Sequence, residues 1–98
     1  MWPGTAKLAE ECGEVIQIIA KLVATAGRTD HWSGLDLETE LEDEIADVQA
    51  ACAFVIEKNH LDRARIERRT DQKQMLFGRW HGDDFHSQEM SAFLRSSG

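Results

Sequence analysis

Apolar residues recur along the start of the chain at steps of three and four. Leu8, Cys12, Val15, Ile19 and Leu22 fall on one stripe, the spacing of an amphipathic helix. It predicts a helix over about residues 6–26, with Thr5 as its N-cap and Gly27 as the left-handed residue past its end. A second stripe, Leu37, Leu41, Ile45, Val48, Cys52 and Val55, predicts a helix over 37–58. Asp36 suits its N-cap, and Asn59 tolerates a left-handed turn at its end. A third helix is expected after the cap residue Asp62, with Leu61 and Ile66 spaced as a hydrophobic staple. It should reach about Phe77 and stop at Gly78. The stretches "GRTDHWSG" (27–34) and "RWHGDDF" (79–85) read as connections, and 86–95 as a short, weak helix.

Composition agrees with the periodicity. The 98 residues include no Tyr, one Pro and 7 Gly, and no β-branched or aromatic alternation of the strand type. The fold class expected is all-α, with one helical domain over 1–85 and a weak helix and disordered tail over 86–98. Two long helices with one-sided stripes make an antiparallel hairpin, which is half of a four-helix bundle. A chain this short completes a core most readily with a second copy of itself.

Charge adds a constraint. Residues 1–60 hold 12 acids and 4 bases, a balance of −8, and residues 61–98 hold 6 acids and 7 bases, a balance of +1, which sum to the net −7. The acidic part would repel a nucleic acid backbone and attract cations, so no nucleic acid partner is expected. No apolar run reaches the roughly 18–20 residues of a membrane span, and no signal-peptide pattern is visible. Cys12 and Cys52 lack CxxC spacing and read as two buried, free thiols in a reducing cytoplasm.

The acids themselves are patterned. In "EECGE" (10–14), Glu11 and Glu14 are three apart and Glu10 and Glu14 four apart; in "ELEDEIADV" (40–48), Glu40, Glu44 and Asp47 follow at four and three. Each set lies on one side of its helix beside the apolar stripe. Antiparallel packing through the stripes would bring Glu14 level with Glu44 and Asp47. Convergent carboxylates call for a hard divalent cation with oxygen ligands, of which Mg²⁺ is the commonest, with Mn²⁺ as a substitute. Phosphate chemistry is the usual use of such a site. The competing reading is a solvated acidic face on a non-enzymatic dimerisation or regulatory module.

"EECGEVIQ" followed by "DEIADVQAA" resembles the EExxE…ExxD signature of the MazG-type all-α nucleoside triphosphate pyrophosphohydrolases, and "NHLDRARIERRTDQKQMLFGRWHG" (59–82) is similar to the third helix and tail of small members. The resemblance covers about residues 5–82, with a gap of 29 residues between Glu14 and Glu44 that is slightly long for the pattern. It implies Mg²⁺-dependent hydrolysis of a (deoxy)nucleoside triphosphate to the monophosphate and pyrophosphate by a homodimer or homotetramer. The metal ligands implied are Glu11, Glu14, Glu44 and Asp47. Glu10, the leading Glu of the motif, would support the ligands or help position water, and Glu10, Glu11 and Lys73 are the catalytic residues implied. Lys73, with Arg69 and Arg68, would bind phosphate, Lys73 matching a lysine common in the third helix.

Trp2, Trp32 and Trp80 lie in or near the expected non-helical segments, and a nucleobase stacks well on such a ring. Related proteins place aromatics near the first helix and in the following connection, which favours Trp2 and Trp32 over Trp80. Among the histidines, His31, His60, His81 and His86, no pair is four apart, so no zinc helix motif exists. The single ExxH, "EKNH" (57–60), does not make the paired motif of a di-iron bundle. Gly13 within the first helix costs about 1 kcal/mol against Ala, which close helix packing near the acids would explain.

Overall fold

A computed structural model describes residues 2–29 and 36–82. The chain divides into two compact units, Met1–Leu61 and Asp62–Gly98. The first holds α1 (Thr5–Ala24) and α2 (Leu37–Lys58), and the second holds α3 (Arg63–His81). No strand occurs among the described residues. The all-α expectation and the helical hairpin are therefore both met.

The hairpin is antiparallel and sewn together at its open end. The Asn59 side-chain amide donates to the Pro3 carbonyl at 3.0 Å and to the Val55 carbonyl at 2.8 Å. Gly4 precedes α1 with φ of 85° and packs against Phe54 and Val55 at the far end of α2. A Cβ at Gly4 would come within 2.6 Å of the Phe54 ring. The conformation and the close approach both require glycine there.

Caps account for the boundaries. Asp36 accepts from the Glu38 backbone N–H at 3.1 Å and from the Thr39 hydroxyl at 2.7 Å, so α2 begins where its cap predicts. The same role falls to Asp62, which accepts from the Arg65 N–H at 3.0 Å. Thr5 is not the cap of α1. It is the first helical residue, and its hydroxyl donates back to the Trp2 carbonyl at 2.8 Å.

α2 ends at Lys58 as expected, whereas α1 ends two residues early and α3 four residues late. α1 ends at Ala24, and Ala26 takes the left-handed conformation (φ 56°) ahead of Gly27 (φ 84°). Gly27 N–H bonds to the Leu22 carbonyl and Ala26 N–H to the Val23 carbonyl, the paired bonds of a Schellman motif. α2 closes in the same way: Leu61 N–H reaches Ile56, His60 N–H reaches Glu57, and His60 rather than Asn59 is left-handed (φ 53°). α3 runs through Gly78 and stops at Gly82, so Arg79, Trp80 and His81 are helical rather than a loop. Lys73 lies 5.9 Å from the Phe77 ring centre and 5.4 Å from that of Trp80. Those rings are 5.7 Å apart. These contacts, at spacings of three, four and seven, need a continuous helix, and they carry α3 past the glycine.

The core is narrow. Among the described residues, Ile18, Leu37 and Val55 are its buried apolar side chains. The expected stripes are rotated: Glu11 and Ile18 face α2, while Ile19 and Ile45 are exposed. Cys12 is exposed and Cys52 half-buried, which corrects the expectation of two buried thiols. Both are free. Gly13 has nothing within 4 Å of an added Cβ, so close packing is not the reason for that glycine. The weak helix and tail expected over 86–98 lie outside the described residues.

Candidate metal centre

Helical periodicity places the acids before any contact is considered. Glu11 and Glu14 project from one side of α1, and Glu44 and Asp47 from one side of α2. Antiparallel packing brings the pairs level. One carboxylate oxygen from each of Glu11, Glu14, Glu44 and Asp47 lies within 4.8 Å of the others. The two motif halves, far apart in sequence, thus meet in the hairpin.

The four carboxylates differ in burial. Glu11 is buried, Glu14 and Glu44 are half-buried, and Asp47 is exposed. Glu11 Oε2 and Glu44 Oε2 are shielded from solvent and have no hydrogen-bond partner. Leaving a buried acceptor unsatisfied costs about 1–3 kcal/mol, more for a charged group. A cation between the helices would satisfy both oxygens and offset the mutual repulsion. The donor set, all oxygen and all anionic, fits a hard divalent ion.

The electrostatics of Glu44 reflect this crowding. Burial pushes its pKa up first, followed by hydrogen-bonding contact with Glu14 and the charges of Glu14, Asp47 and Glu11, to about 7. The protonated Glu44 can donate to Glu14, and this relieves part of the repulsion in the absence of an ion.

One residue that the motif does not single out borders the cluster. The Lys7 ammonium lies 3.4 Å from Glu10 Oε2 and 3.5 Å from Glu11 Oε1. Contact with Glu10, then with Glu11, raises its pKa above 10.5. The signal was present in the sequence, since Lys7 precedes Glu11 by four residues. Glu40 is a further case, with Oε2 buried and unpartnered one turn before Glu44.

The remaining candidates are placed as follows. Glu10 is exposed, outside the group of four, and paired with Lys7. Arg68, Arg69 and Lys73 lie on α3, with both arginines exposed and Lys73 half-buried against its two rings. Trp2 is exposed just before α1. Trp32 lies outside the described residues.

No protein-family model matches the chain, and no match was found among curated proteins or solved structures. The site therefore rests on its own geometry. Among the described residues, no helix is long and apolar enough to cross a membrane.

Proposed function

We propose that the protein is a Mg²⁺-dependent hydrolase that splits a (deoxy)nucleoside triphosphate into the monophosphate and pyrophosphate. The observation that carries the reading is the four-carboxylate group, Glu11, Glu14, Glu44 and Asp47, gathered from two helices with two buried, unpartnered oxygens. The resemblance of "EECGE" and "EIAD" to the MazG-type signature supplies the reaction.

In this reading Glu11, Glu14, Glu44 and Asp47 hold the ion. Mg²⁺ held there, with Mn²⁺ as a substitute, would supply Lewis-acid polarisation of phosphate oxygens and activation of water. The exposed Glu10 carboxylate at the edge of the cluster orients the water that attacks the α-phosphorus and accepts its proton. Lys73, Arg69 and Arg68 neutralise triphosphate charge, and Trp2 and Trp32 offer flat faces to the base. These last roles rest on the resemblance alone. The two free thiols suit a reducing cytoplasm.

A homodimer or homotetramer belongs to the same proposal. What supports it is the thin core of the hairpin and an apolar groove lined by Cys12, Val15, Ile16, Ile45, Val48 and Gln49. A second hairpin laid on this groove would complete a four-helix bundle. The exposed apolar face is also what a non-enzymatic dimerisation module would present, so the reaction needs its own test.

That test is pyrophosphate release from a panel of ribo- and deoxyribonucleoside triphosphates, with Mg²⁺ and with chelator, using Glu44→Gln as the blank. Release with matching monophosphate is expected from the wild type with Mg²⁺ alone. A fall of at least about 100-fold is expected in the variant, the scale of losing a group on which the metal depends. No turnover on any triphosphate, together with no change of melting temperature on adding Mg²⁺, would leave the acidic cluster a solvated face.

A further inference from the structure

Lys7 precedes Glu11 by one helical turn and is outside the EExxE motif. Its ammonium is 3.5 Å from Glu11 Oε1 and 3.4 Å from Glu10 Oε2. The two ends of this contact differ in burial. The Lys7 side chain is 62% exposed and that of Glu11 only 10%. Glu11 Oε2 is shielded from solvent and has no partner. One carboxylate thus has an oxygen engaged at the rim by a cation of the protein and the other bare in the interior. The terminal torsion of a glutamate is soft, so without such a contact Glu11 could offer either oxygen, or both, to an ion.

We propose that Lys7 is a positioning residue that turns Glu11 to present the single oxygen Oε2 to a divalent cation, and that it thereby favours Mg²⁺ over Ca²⁺. The proposal rests on the metal reading of the carboxylate cluster. Its physical basis is the difference between the two ions. Mg²⁺ takes six ligands in a strict octahedron at about 2.0–2.1 Å, whereas Ca²⁺ takes six to eight at longer range and readily accepts both oxygens of one carboxylate. A Glu11 held by Oε1 supplies one ligand atom. A Glu11 released from Lys7 can supply two. Partners that orient a ligand in this way change metal affinity by about 10–100-fold when lost.

Removing Lys7 also removes a positive charge near the site, which by itself strengthens binding of every cation. That effect is common to two ions of equal charge. It cancels in the ratio of the Ca²⁺ to the Mg²⁺ dissociation constant, which is therefore the quantity to measure. Calorimetric titration of the full chain with MgCl₂ and with CaCl₂ provides it, for wild type, Lys7→Met and Lys7→Arg. Circular dichroism checks that each variant keeps its helices.

In Lys7→Met the ratio is expected to fall at least several-fold. Lys7→Arg keeps the charge and the donors, and its ratio is expected to stay near that of the wild type. If wild type binds both ions and Lys7→Met keeps its ratio, the role of Lys7 is overturned while the metal site stands. That role is equally overturned if Lys7→Arg loses discrimination as fully as Lys7→Met. If wild type binds neither ion, the metal reading itself fails, and the role of Lys7 with it.

Discussion

Glu44 is held in surroundings that oppose its own charge. It is half-buried, one oxygen has no partner, and three carboxylates crowd it, so its pKa rises from 4.5 to about 7. A carboxyl whose pKa is higher in the folded than in the unfolded chain stabilises the fold in its protonated form. That contribution is complete below about 4.5 and is lost as pH rises through about 7. The metal-free protein should therefore melt at a lower temperature at pH 8 than at pH 5, as far as this group is concerned. Glu44→Gln should flatten the slope, and Mg²⁺ should raise the melting temperature most at the higher pH. Thermal melts of wild type and Glu44→Gln across pH 5–8, with chelator and with Mg²⁺, check all three. At this scale the sequence was informative: spacing placed Glu10, Glu11, Glu14, Glu40, Glu44 and Asp47 beside the apolar stripes, and the resemblance picked from them the four that converge. Lys7 was not singled out by the sequence: it lies four residues before Glu11, and only the distance to Oε1 distinguishes it from any other surface lysine. The positions of Glu10 and Trp2 follow from the sequence, whereas nothing local to them states a chemical role.

Two glycines of the hairpin test how local rules and packing divide the control of an element. Gly13 lies mid-helix with open space where a Cβ would point. Its cost is then only conformational, and Gly13→Ala should stabilise the protein by about 1 kcal/mol. Gly4 has φ of 85° and the Phe54 ring 2.6 Å from a would-be Cβ. Gly4→Ala should destabilise by about 1–3 kcal/mol, the usual cost of a non-glycine residue held in a sparsely populated conformation. Chemical denaturation of the two variants checks the opposite signs. Nothing in the local sequence separates these glycines, because the difference lies in a contact made about fifty residues away. Helix starts were better specified than helix ends. Asp36 and Asp62 cap through bonds to residues two and three positions on, a purely local interaction. At the end of α1, the Thr25 hydroxyl lies 3.2 Å from the Leu22 carbonyl and 2.7 Å from that of Arg28. This local turn closes the helix before Gly27 is reached. In α3 the Lys73, Phe77 and Trp80 contacts outweigh the breaking tendency of Gly78.

For the whole molecule, the deciding quantity is how little apolar surface the hairpin buries by itself. Ile16 is 66% exposed and Val23 75%, while Ile18, Leu37 and Val55 are the buried apolar residues among those described. If a second copy covers the groove at Ile16, light scattering at micromolar concentration should give the mass of a dimer or tetramer. Ile16→Glu should shift it to the monomer and lower the melting temperature, because an unpaired charge would be forced into the interface. A wild type that scatters as a monomer would rule out the bundle between copies.

The sequence by itself determined that the described chain is helical, where α2 and α3 begin, and which acids lie beside the apolar stripes of their helices. Those properties depend on spacing and on bonds between near neighbours. Tertiary structure decided the rest. It turned Glu11 and Ile18, rather than Ile19, toward α2 and left Cys12 exposed. The reason is geometric: a stripe about 100° wide limits which face of a helix turns inward but does not choose the line of contact within it. That line is set by the partner helix, and here it runs through carboxylates.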